Sequence, residues 1–384
     1  MLTKNILLRS FSRMKAENKI KKKLQSILKE KNHLFESMSK NYRNNYNFQK
    51  IKNFSKKNNI RLIGMGGSVL GSQTIYNFLK DKIKKKFFFI DNLNNLKDDT
   101  YKGNFTNLII SKSGNTLETI FNANIYIKKK DKNIFLTENK KNYLFVLANQ
   151  LKAEIIHHNN FIGGRYSVLS EVGMLPAELM GLDPNKFRQL DNLIKNKNFL
   201  NNLVHNTNSI FYFLKKKKFN SIILNYDTKS HYLLNWYQQL VAESLGKKGK
   251  GILPIISTMP KDNHSVMQLY LDGFKNNFFT FFYCKEKSSI KLNKKKLLAN
   301  HKYLGSSNVN EIIFKQKIAT ENVFKSKKIP FRSFEIKKRN EQTLGELFCY
   351  FILETILLGR ALNVNPFDQP SVELIKKETK RLFS

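Results

Sequence analysis

The chain of 384 residues contains only two cysteines, Cys284 and Cys349, which lie far apart in apolar surroundings. This scarcity predicts a reducing compartment, and it argues against a disulfide scaffold or a thiolate metal site. Long apolar runs are also missing, because stretches such as Phe278–Cys284 fall far short of a membrane span. The amino terminus lacks the apolar core of a signal peptide. We therefore expect a cytoplasmic protein without membrane attachment.

Acidic residues are scarce beside basic ones, with 29 Asp and Glu against 68 Lys and Arg and a formal net charge of +39. Taken alone, this charge predicts affinity for nucleic acid or another polyanion. The lysines, however, are spread along the whole chain in short runs and form no single basic arm. We therefore interpret the charge as compositional drift on solvated faces, with no specific nucleic-acid partner. A basic surface would still steer an anionic substrate towards the protein.

Short apolar runs alternate with helical patterns, which predicts α/β domains with central parallel sheets covered on both faces. The predicted strands are Arg61–Gly64, Lys86–Asp91, Leu108–Ile110, Asn133–Thr137, Ala153–His157, Ser221–Tyr226, Ile255–Ser257, Asn277–Tyr283 and Pro330–Ile336. The length suits two domains of conventional size. We predict four segments, which are an amino-terminal helical segment over residues 1–45, α/β domains over 46–185 and 186–340, and closing helices over 341–384.

The segment Asn107–Tyr126 reads as a strand, a hydroxyl-rich turn and a helix. The turn and the first helical turn offer four hydroxyls, from Ser111, Ser113, Thr116 and Thr119. A helix start of this kind has unsatisfied N–H groups and partial positive charge, which favour a phosphate. An ordinary helix capped by Ser or Thr explains the same residues equally well.

A second turn, Gly64–Gly71, also leads from a strand into a helix and contains Gly67 and Ser68. Its glycines let the backbone approach a ligand closely. The spacing is only a partial dinucleotide fingerprint, with Asp91 as the one nearby acid, so a nucleotide site is disfavoured. Ligands of parallel sheets bind at the carboxyl ends of strands, where both turns lie. We therefore predict one phosphate site formed by the two turns.

Three further side chains are candidates for chemistry. Glu243 lies near the end of a predicted helix among apolar neighbours, where a partly desolvated carboxylate suits a general base; a surface glutamate is the alternative. Arg165 follows two glycines, a pattern that predicts an exposed turn. Its guanidinium is then either an anion contact or an ordinary surface group. His264 begins another helical stretch, and no histidines are spaced as metal ligands. Chemistry alone does not single out Gln369 or Lys376.

Six blocks of the sequence, in one order, resemble the phosphoglucose isomerase family, whose members contain two sugar-isomerase (SIS) domains. They span residues from about 60 to 380 and read I-G-M-G-G-S-V-L-G-S, S-K-S-G-N-T-L-E-T, G-G-R-Y-S-V-L-S-E-V-G-M-L-P, Q-Q-L-V-A-E-S-L-G-K-K-G-K-G-I-L-P, D-N-H-S-V-M-Q-L-Y-L-D-G and F-D-Q-P-S-V-E-L-I-K. The resemblance implies two three-layer α-β-α domains of SIS type, with helical segments at both termini. It also implies reversible isomerisation of glucose 6-phosphate and fructose 6-phosphate through a cis-enediol, with no metal or cofactor.

The resemblance also implies roles for individual residues. It assigns substrate binding through the phosphate to Gly67, Ser68, Ser111, Lys112, Ser113, Thr116 and Thr119. It assigns proton transfer to Glu243, stabilisation of the enediolate to Arg165, ring opening to His264 with help from Lys376, and a lining position to Gln369. In the family the histidine comes from the other subunit, so the resemblance implies an obligate homodimer.

The chain departs from the family pattern at a few positions. The S-G-N-T run keeps Ser113 and Thr116 but loses one hydroxyl, Asn263 replaces a common glutamine before the histidine, and Ser371 replaces a glycine. The S-G-N-T variant leaves open a dual phosphoglucose/phosphomannose isomerase. A third hypothesis is a non-catalytic SIS-type regulator that binds phosphosugars. Such a regulator would not need Glu243, His264 and Lys376 together.

Overall fold

The computed structural model describes residues 1–12, 18–51, 54, 59–93, 104–286, 289–305 and 307–383. Its strands are β1 (Ile6–Arg9), β2 (Asn59–Gly64), β3 (Lys86–Ile90), β4 (Thr106–Ile110), β5 (Lys132–Thr137), β6 (Glu154–His157), β7 (Asn220–Asn225), β8 (Leu253–Thr258), β9 (Asn277–Cys284) and β10 (Phe331–Ile336). Its helices are α1 (Asn18–Ile27), α2 (His33–Ser37), α3 (Phe48–Ile51), α4 (Leu70–Phe78), α5 (Leu117–Tyr126), α6 (Tyr143–Gln150), α7 (Glu171–Leu179), α8 (Leu190–Leu193), α9 (Lys197–Lys215), α10 (His231–Leu245), α11 (Met267–Asp272), α12 (Val309–Ser326), α13 (Glu341–Leu362) and α14 (Val372–Phe383). These elements confirm the predicted α/β class with two parallel-sheet domains.

The described strands form two five-stranded sheets that repeat one topology. The first has the order β3-β2-β4-β5-β6 and is parallel throughout. The second has the order β8-β7-β9-β10-β1, in which only β1 is antiparallel. In each sheet the first parallel strand, β2 or β7, lies between the second and the third. The strand order reverses at this point, and ligands of such sheets bind outside the carboxyl ends of the strands there.

The central strands are apolar runs because helices exclude water from both of their faces. All five residues of β4 and all eight of β9 are buried. Helix α13 is buried along almost its whole length and packs against α1, α9 and α10. Its start is capped by Asn340, whose side chain accepts from the N–H of Thr343 at 2.8 Å. In the described ranges, no helix combines the length and the apolar character needed to cross a bilayer.

The prediction of a helical segment over residues 1–45 is wrong at its start. Ile6–Arg9 form β1, which pairs with β10 along the edge of the second sheet. Ile6 and Leu8 are buried, whereas Leu7 is half-buried and Arg9 is exposed, which is the two-residue period of a strand. Residues 13–17 lie outside the described residues, and α1 and α2 follow. The proposed domain limits stay a prediction, although β1 ties the amino terminus to the second sheet.

A buried ion pair joins the second sheet to α13. Arg332 in β10 donates from Nη2 to Glu354 Oε2 at 2.9 Å, and their side chains are 1% and 3% exposed. Tyr350 donates to Glu354 at 3.1 Å, and Arg332 Nε donates to Thr280 Oγ1 at 3.1 Å. Burial alone would lower the pKa of Arg332, but the attraction of Glu354 outweighs it and raises that pKa. Each charge is therefore stable in the core only because the other is present.

We predict that Glu354→Gln lowers the free energy of unfolding by about 3–5 kcal/mol, because it leaves the buried charge of Arg332 unpaired. Urea denaturation of the two proteins measures the difference. The matched control is Glu378→Gln on the exposed helix α14, whose pairing with Arg381 lies in solvent and should not change stability measurably. Equal stability of Glu354→Gln and the wild type would contradict this role for the pair.

Candidate active site

The two predicted turns lie side by side at the carboxyl edge of the first sheet. Gly64, at the end of β2, pairs in register with Ile110, at the end of β4. A Cβ atom on Gly64 would lie 2.9 Å from the Ile110 carbonyl oxygen and 3.1 Å from the Cβ of Ser68. The turn after β2 is therefore folded against the end of the strand that leads into the hydroxyl-rich turn.

The hydroxyl-rich turn does not cap its helix in the ordinary way. Thr116 occupies the N-cap position of α5, but its side chain makes no capping hydrogen bond. Its Oγ1 instead lies 2.9 Å from the Oγ of Ser111, within hydrogen-bonding distance. Ser111 and Thr119 are 2% and 1% exposed, and Thr119 Oγ1 has no hydrogen-bond partner in the described part of the chain. A helix start without a side-chain cap, beside a buried hydroxyl without a partner, favours a phosphate site at this turn over an ordinary helix cap.

Two other members of the predicted phosphate set make contacts with their own chain. Lys112 donates from Nζ to the carbonyl of Asn160 at 2.8 Å, and burial lowers the pKa of its ammonium group. Ser113 is exposed, and its Oγ accepts from the N–H of Asn115 at 3.3 Å. Between them, Gly114 has a φ of +65°, and a Cβ there would lie 1.8 Å from Asn142 Oδ1. The backbone path of this turn therefore requires glycine.

Arg165 forms the centre of the second half of the site, and the expectation that it lies on an exposed turn is wrong. It belongs to the 3₁₀ segment Gly164–Leu169, and its side chain is 1% exposed. Its guanidinium donates to five oxygens, which are Ser244 Oγ (2.8 Å), Glu243 Oε2 (3.2 Å), Gln369 Oε1 (2.6 Å) and the carbonyls of Pro366 (2.8 Å) and Asp368 (3.0 Å). All its N–H groups are thus committed, and a buried cation is stable only in such surroundings.

Glu243 is held from two sides near the end of α10. One carboxylate oxygen contacts Arg165, and the other accepts from Gln239 Nε2 at 3.0 Å. Gln239 lies one helical turn before Glu243, a spacing that places both side chains on one face. The Glu243 side chain remains 30% exposed, so a substrate can reach it. A fixed, accessible carboxylate beside a cation is suited to move a proton next to a carbonyl group.

The glycine turn joins the two halves of the site. A Cβ on Gly67 would lie 2.3 Å from the carbonyl carbon and oxygen of Gly164 and 2.7 Å from the amide nitrogen of Arg165. At Gly66, which has a φ of +53°, a Cβ would lie 2.9 Å from Gln239 Nε2. The turn that ends in half-buried Ser68 therefore touches both the segment of Arg165 and the helix of Glu243. Glycine is needed here because two backbones approach each other closely.

Among the described residues, no hydrogen bond or ion pair joins His264 or Lys376 to Glu243, whose partners are Arg165 and Gln239. His264 is exposed at the end of the 3₁₀ segment Lys261–His264. Lys376 lies on α14, is 65% exposed and pairs with Glu373 at 2.6 Å. None of the described residues of α14 is buried. Gln369, by contrast, does join the cluster through Arg165.

Sequence reasoning missed three residues that support this cluster, namely Gln239, Ser244 and Tyr166. The hydroxyl of Tyr166 lies 2.8 Å from Ser244 Oγ and donates to the carbonyl of Pro366 at 2.9 Å. Burial raises the pKa of Tyr166, which keeps its hydroxyl protonated. The spacing of Gln239 from Glu243 was the one available sequence signal. Within the described ranges, no three His, Cys, Asp or Glu side chains converge in a way that could hold a metal ion.

Comparisons with known proteins point to one family. The model of the family described as phosphoglucose isomerase matches residues 11–384. The glucose-6-phosphate isomerase of Methanocaldococcus jannaschii is 32% identical over 363 residues, covering 88% of this chain and 87% of that protein. The glucose-6-phosphate isomerase of Mycoplasmopsis synoviae is 31% identical over 353 residues, covering 82% of this chain and 80% of that protein.

Solved structures share the fold. A hypothetical protein of Thermus thermophilus matches with a TM-score of 0.82 at 19% identity, covering 96% of this chain and 95% of that one. A glucose-6-phosphate isomerase of Chlamydia trachomatis matches with a TM-score of 0.69 at 16% identity, covering 94% of this chain and 77% of that one. At these identities the similarity concerns the arrangement of helices and strands.

We predict that Gly67→Ala lowers the free energy of unfolding by about 1–3 kcal/mol, because the added methyl group overlaps the backbone of Gly164. Gly163→Ala is the matched control, since a Cβ there would meet only Tyr166 at an ordinary 3.7 Å. Its stability should stay within about 0.5 kcal/mol of the wild type. Urea unfolding of the three proteins measures these free energies. An equal decrease in the free energy of unfolding in both variants would show that the close approach is not specific to Gly67.

Proposed function

The chain belongs to the phosphoglucose isomerase family, and on that premise we propose that it interconverts glucose 6-phosphate and fructose 6-phosphate. The observation that carries this proposal is the contact of Arg165 with Glu243 at 3.2 Å beside the two turns. Proton transfer next to a carbonyl needs a base for the proton and a fixed cation for the negative charge of the enediolate. The pair supplies both.

We propose that the phosphate of the substrate binds at the two turns that follow β2 and β4. The unpartnered hydroxyl of Thr119, the uncapped start of α5 and the close backbone approach at Gly67 support this placement. The hydroxyls of Ser68, Ser111 and Thr116 complete it. Neutral hydroxyls and N–H groups suit a dianion that must bind and leave again.

Lys112 and Ser113 remain part of the proposed phosphate site. Their side chains now contact Asn160 and Asn115, and each must release that contact to reach a phosphate. Lys112 is the one cation of the set, and its partly buried position strengthens its attraction for an anion.

Anchoring of the phosphate holds carbons 1 and 2 of the open-chain sugar beside Glu243. From the aldose, Glu243 takes the proton from carbon 2 to give the cis-enediol, a proton passes from oxygen 2 to oxygen 1, and the same carboxyl group returns its proton to carbon 1. Arg165 acts through its fixed positive charge, because its N–H groups are already bound to oxygens of the chain. Gln239 keeps the carboxylate oriented during both transfers.

Ring opening is assigned to His264, supplied by a second copy of the chain in a homodimer. His264 is exposed, and within the described residues it has no hydrogen bond to Glu243, which supports this arrangement. Large apolar side chains close to it in sequence are also uncovered, with Leu269 at 42%, Phe274 at 55% and Leu253, on the edge strand β8, at 58% exposure. These side chains are free to contact a second copy of the chain. Lys376 assists ring opening from α14, whose apolar side chains are likewise uncovered.

The proposed reaction is a step of glycolysis and, in reverse, of gluconeogenesis. A cytoplasmic location fits the free, buried state of Cys284 and Cys349. The relatives favour neither a dual phosphoglucose/phosphomannose isomerase nor a non-catalytic regulator. The Arg165–Glu243 pair also argues against a regulator, because binding a phosphosugar requires no base.

We predict that Glu243→Gln lowers kcat for conversion of fructose 6-phosphate to glucose 6-phosphate by about 10²- to 10⁴-fold, because an amide cannot accept the proton. A coupled dehydrogenase assay measures the product, and circular dichroism verifies the fold. The control is Glu154→Gln, an exposed glutamate at the start of β6, which should keep full activity. Full activity of Glu243→Gln would overturn the mechanism, and comparable turnover of mannose 6-phosphate by the wild type would support the dual isomerase instead.

The proposed dimer predicts complementation between two inactive variants. Glu243→Gln and His264→Ala should each be inactive alone, whereas a mixed dimer contains one site with both wild-type residues. Statistical mixing by co-refolding should restore roughly a quarter of wild-type activity, because half of the dimers are mixed and half of their sites are complete. Mixing Glu243→Gln with Arg165→Lys is the control, since both residues belong to the same chain's half of the site. No recovery with His264→Ala would show that the histidine does not act across subunits.

A further inference from the structure

A cleft of about 710 Å³ lies at the carboxyl edge of the second sheet. Its walls come from the ends of β7, β8, β9 and β10 and the segments that follow them, from the first turns of α12, and from Leu79, Asp81 and Lys82 just after α4. We call it the second-edge cleft. Its volume lies within the range of roughly 300–1,000 Å³ that holds small molecules, and it lies between the two sheet domains, where such sites are common.

The second-edge cleft repeats the topological position of the phosphate turns. β2 and β7 occupy the same place in their sheets, and each is followed by a 3₁₀ turn and a helix, Gly66–Ser68 before α4 and Thr228–Ser230 before α10. Ser230 lies at the N-cap of the fifteen-residue α10 but makes no capping hydrogen bond there, because its hydroxyl donates to Asp227. The positive start of a long helix thus lies at the wall of the cleft, at the switch point of the sheet.

Positive side chains outnumber carboxylates along this wall. The cations are Lys82, Lys229, Lys285, Lys337, Lys338 and Arg339, and the carboxylates are Asp81, Asp227 and Glu286. Arg339 lies 2.8 Å from Asp227 and 2.7 Å from Glu286, and Lys229 lies 2.7 Å from Asp81. The three acids thus share two of the cations, and Lys82 is paired with Glu341, outside the lining of the cleft, at 2.5 Å. The remaining positive charge of the wall comes from Lys285, Lys337 and Lys338. Within the described ranges, Lys285 and Lys338 are exposed and have no ion pair.

The cleft is distinct from the Glu243 site, because the two lie at opposite ends of the same pair of helices. Helix α10 starts at the cleft and reaches Glu243 twelve residues after His231, which corresponds to about 18 Å at 1.5 Å per residue. Helix α4 packs along α10 and runs the other way, from the turn of Ser68 to Leu79 at the cleft. One small ligand therefore cannot occupy both places.

We propose that the second-edge cleft binds a small phosphate dianion, as free phosphate or as the monoester of a small metabolite. The excess of positive charge and the helix start attract a dianion, and Lys285 and Lys338 are available to hold it. The apolar side chains of Val309 and Ile313 also line the cleft and can contact a short carbon chain. This site is additional to the proposed isomerase site and uses none of its residues.

Equilibrium dialysis with radiolabelled orthophosphate at low ionic strength tests the proposal. The wild type should bind phosphate in two classes, one at the isomerase site and one at the cleft. The double variant Lys285→Glu/Lys338→Glu should lose the cleft class, with affinity at least about tenfold weaker, because two attractive charges become repulsive. The control Lys129→Glu/Lys130→Glu changes the charge equally at exposed positions between α5 and β5 and should keep both classes.

A single class in the wild type, or unchanged binding in Lys285→Glu/Lys338→Glu, would overturn the proposal. If that variant fails to fold, Lys285→Gln/Lys338→Gln replaces it, and it must weaken the cleft class in the same direction. Competition by glycerol 3-phosphate for the cleft class would identify a monoester, whereas displacement by orthophosphate alone would identify free phosphate. Isomerase activity in phosphate-free buffer should be equal in all these variants, so failure of the isomerase proposal is detected separately.

Discussion

The burial of Arg165 is the constraint on which the arrangement of the site depends. A guanidinium taken out of water must bind an acceptor with every N–H group and must lie near a negative charge. Arg165 meets both conditions only if the end of α10 and the turn at residues 366–369 lie around it. Glu243, the proposed base, and the cation Arg165 are therefore positioned by folding, before any substrate binds. Preorganised charge of this kind lowers the reorganisation that a reaction would otherwise need.

Much of the fold was predictable because parallel strands buried on both faces leave a direct trace in the sequence. Runs such as Phe278–Cys284 have no polar alternation, since no face of β9 meets water. β1 was missed for the opposite reason. It has four residues, lies at an edge, and is a strand because β10 offers it hydrogen-bond partners more than three hundred residues away. No local pattern in a short basic segment carries that information.

The site was predictable in its parts but not in its connections. The need for glycine at position 67 is visible in the sequence, whereas the backbone that it approaches, Gly164, is not. The choice between a cap and an anion site at Thr116 depended on a hydrogen bond to Ser111, which only the structure supplies. The burial of Arg165 depends on partners up to about two hundred residues away. His264 has no hydrogen bond to this cluster among the described residues, so its proposed role depends on a second copy of the chain.

The two sheets show how one topology supports two kinds of anion contact. At the first edge, hydroxyls and backbone N–H groups surround the proposed phosphate position, whereas at the second edge lysines and an arginine line the wall. The two edges therefore differ in how an anion would be held, mainly by neutral donors at the first and by lysine charges at the second. In a chain with a net charge of +39, the described residues give Glu243 an ion pair with Arg165 alone. The proposed base is therefore fixed by one buried cation and is separated from the cations of the second-edge cleft.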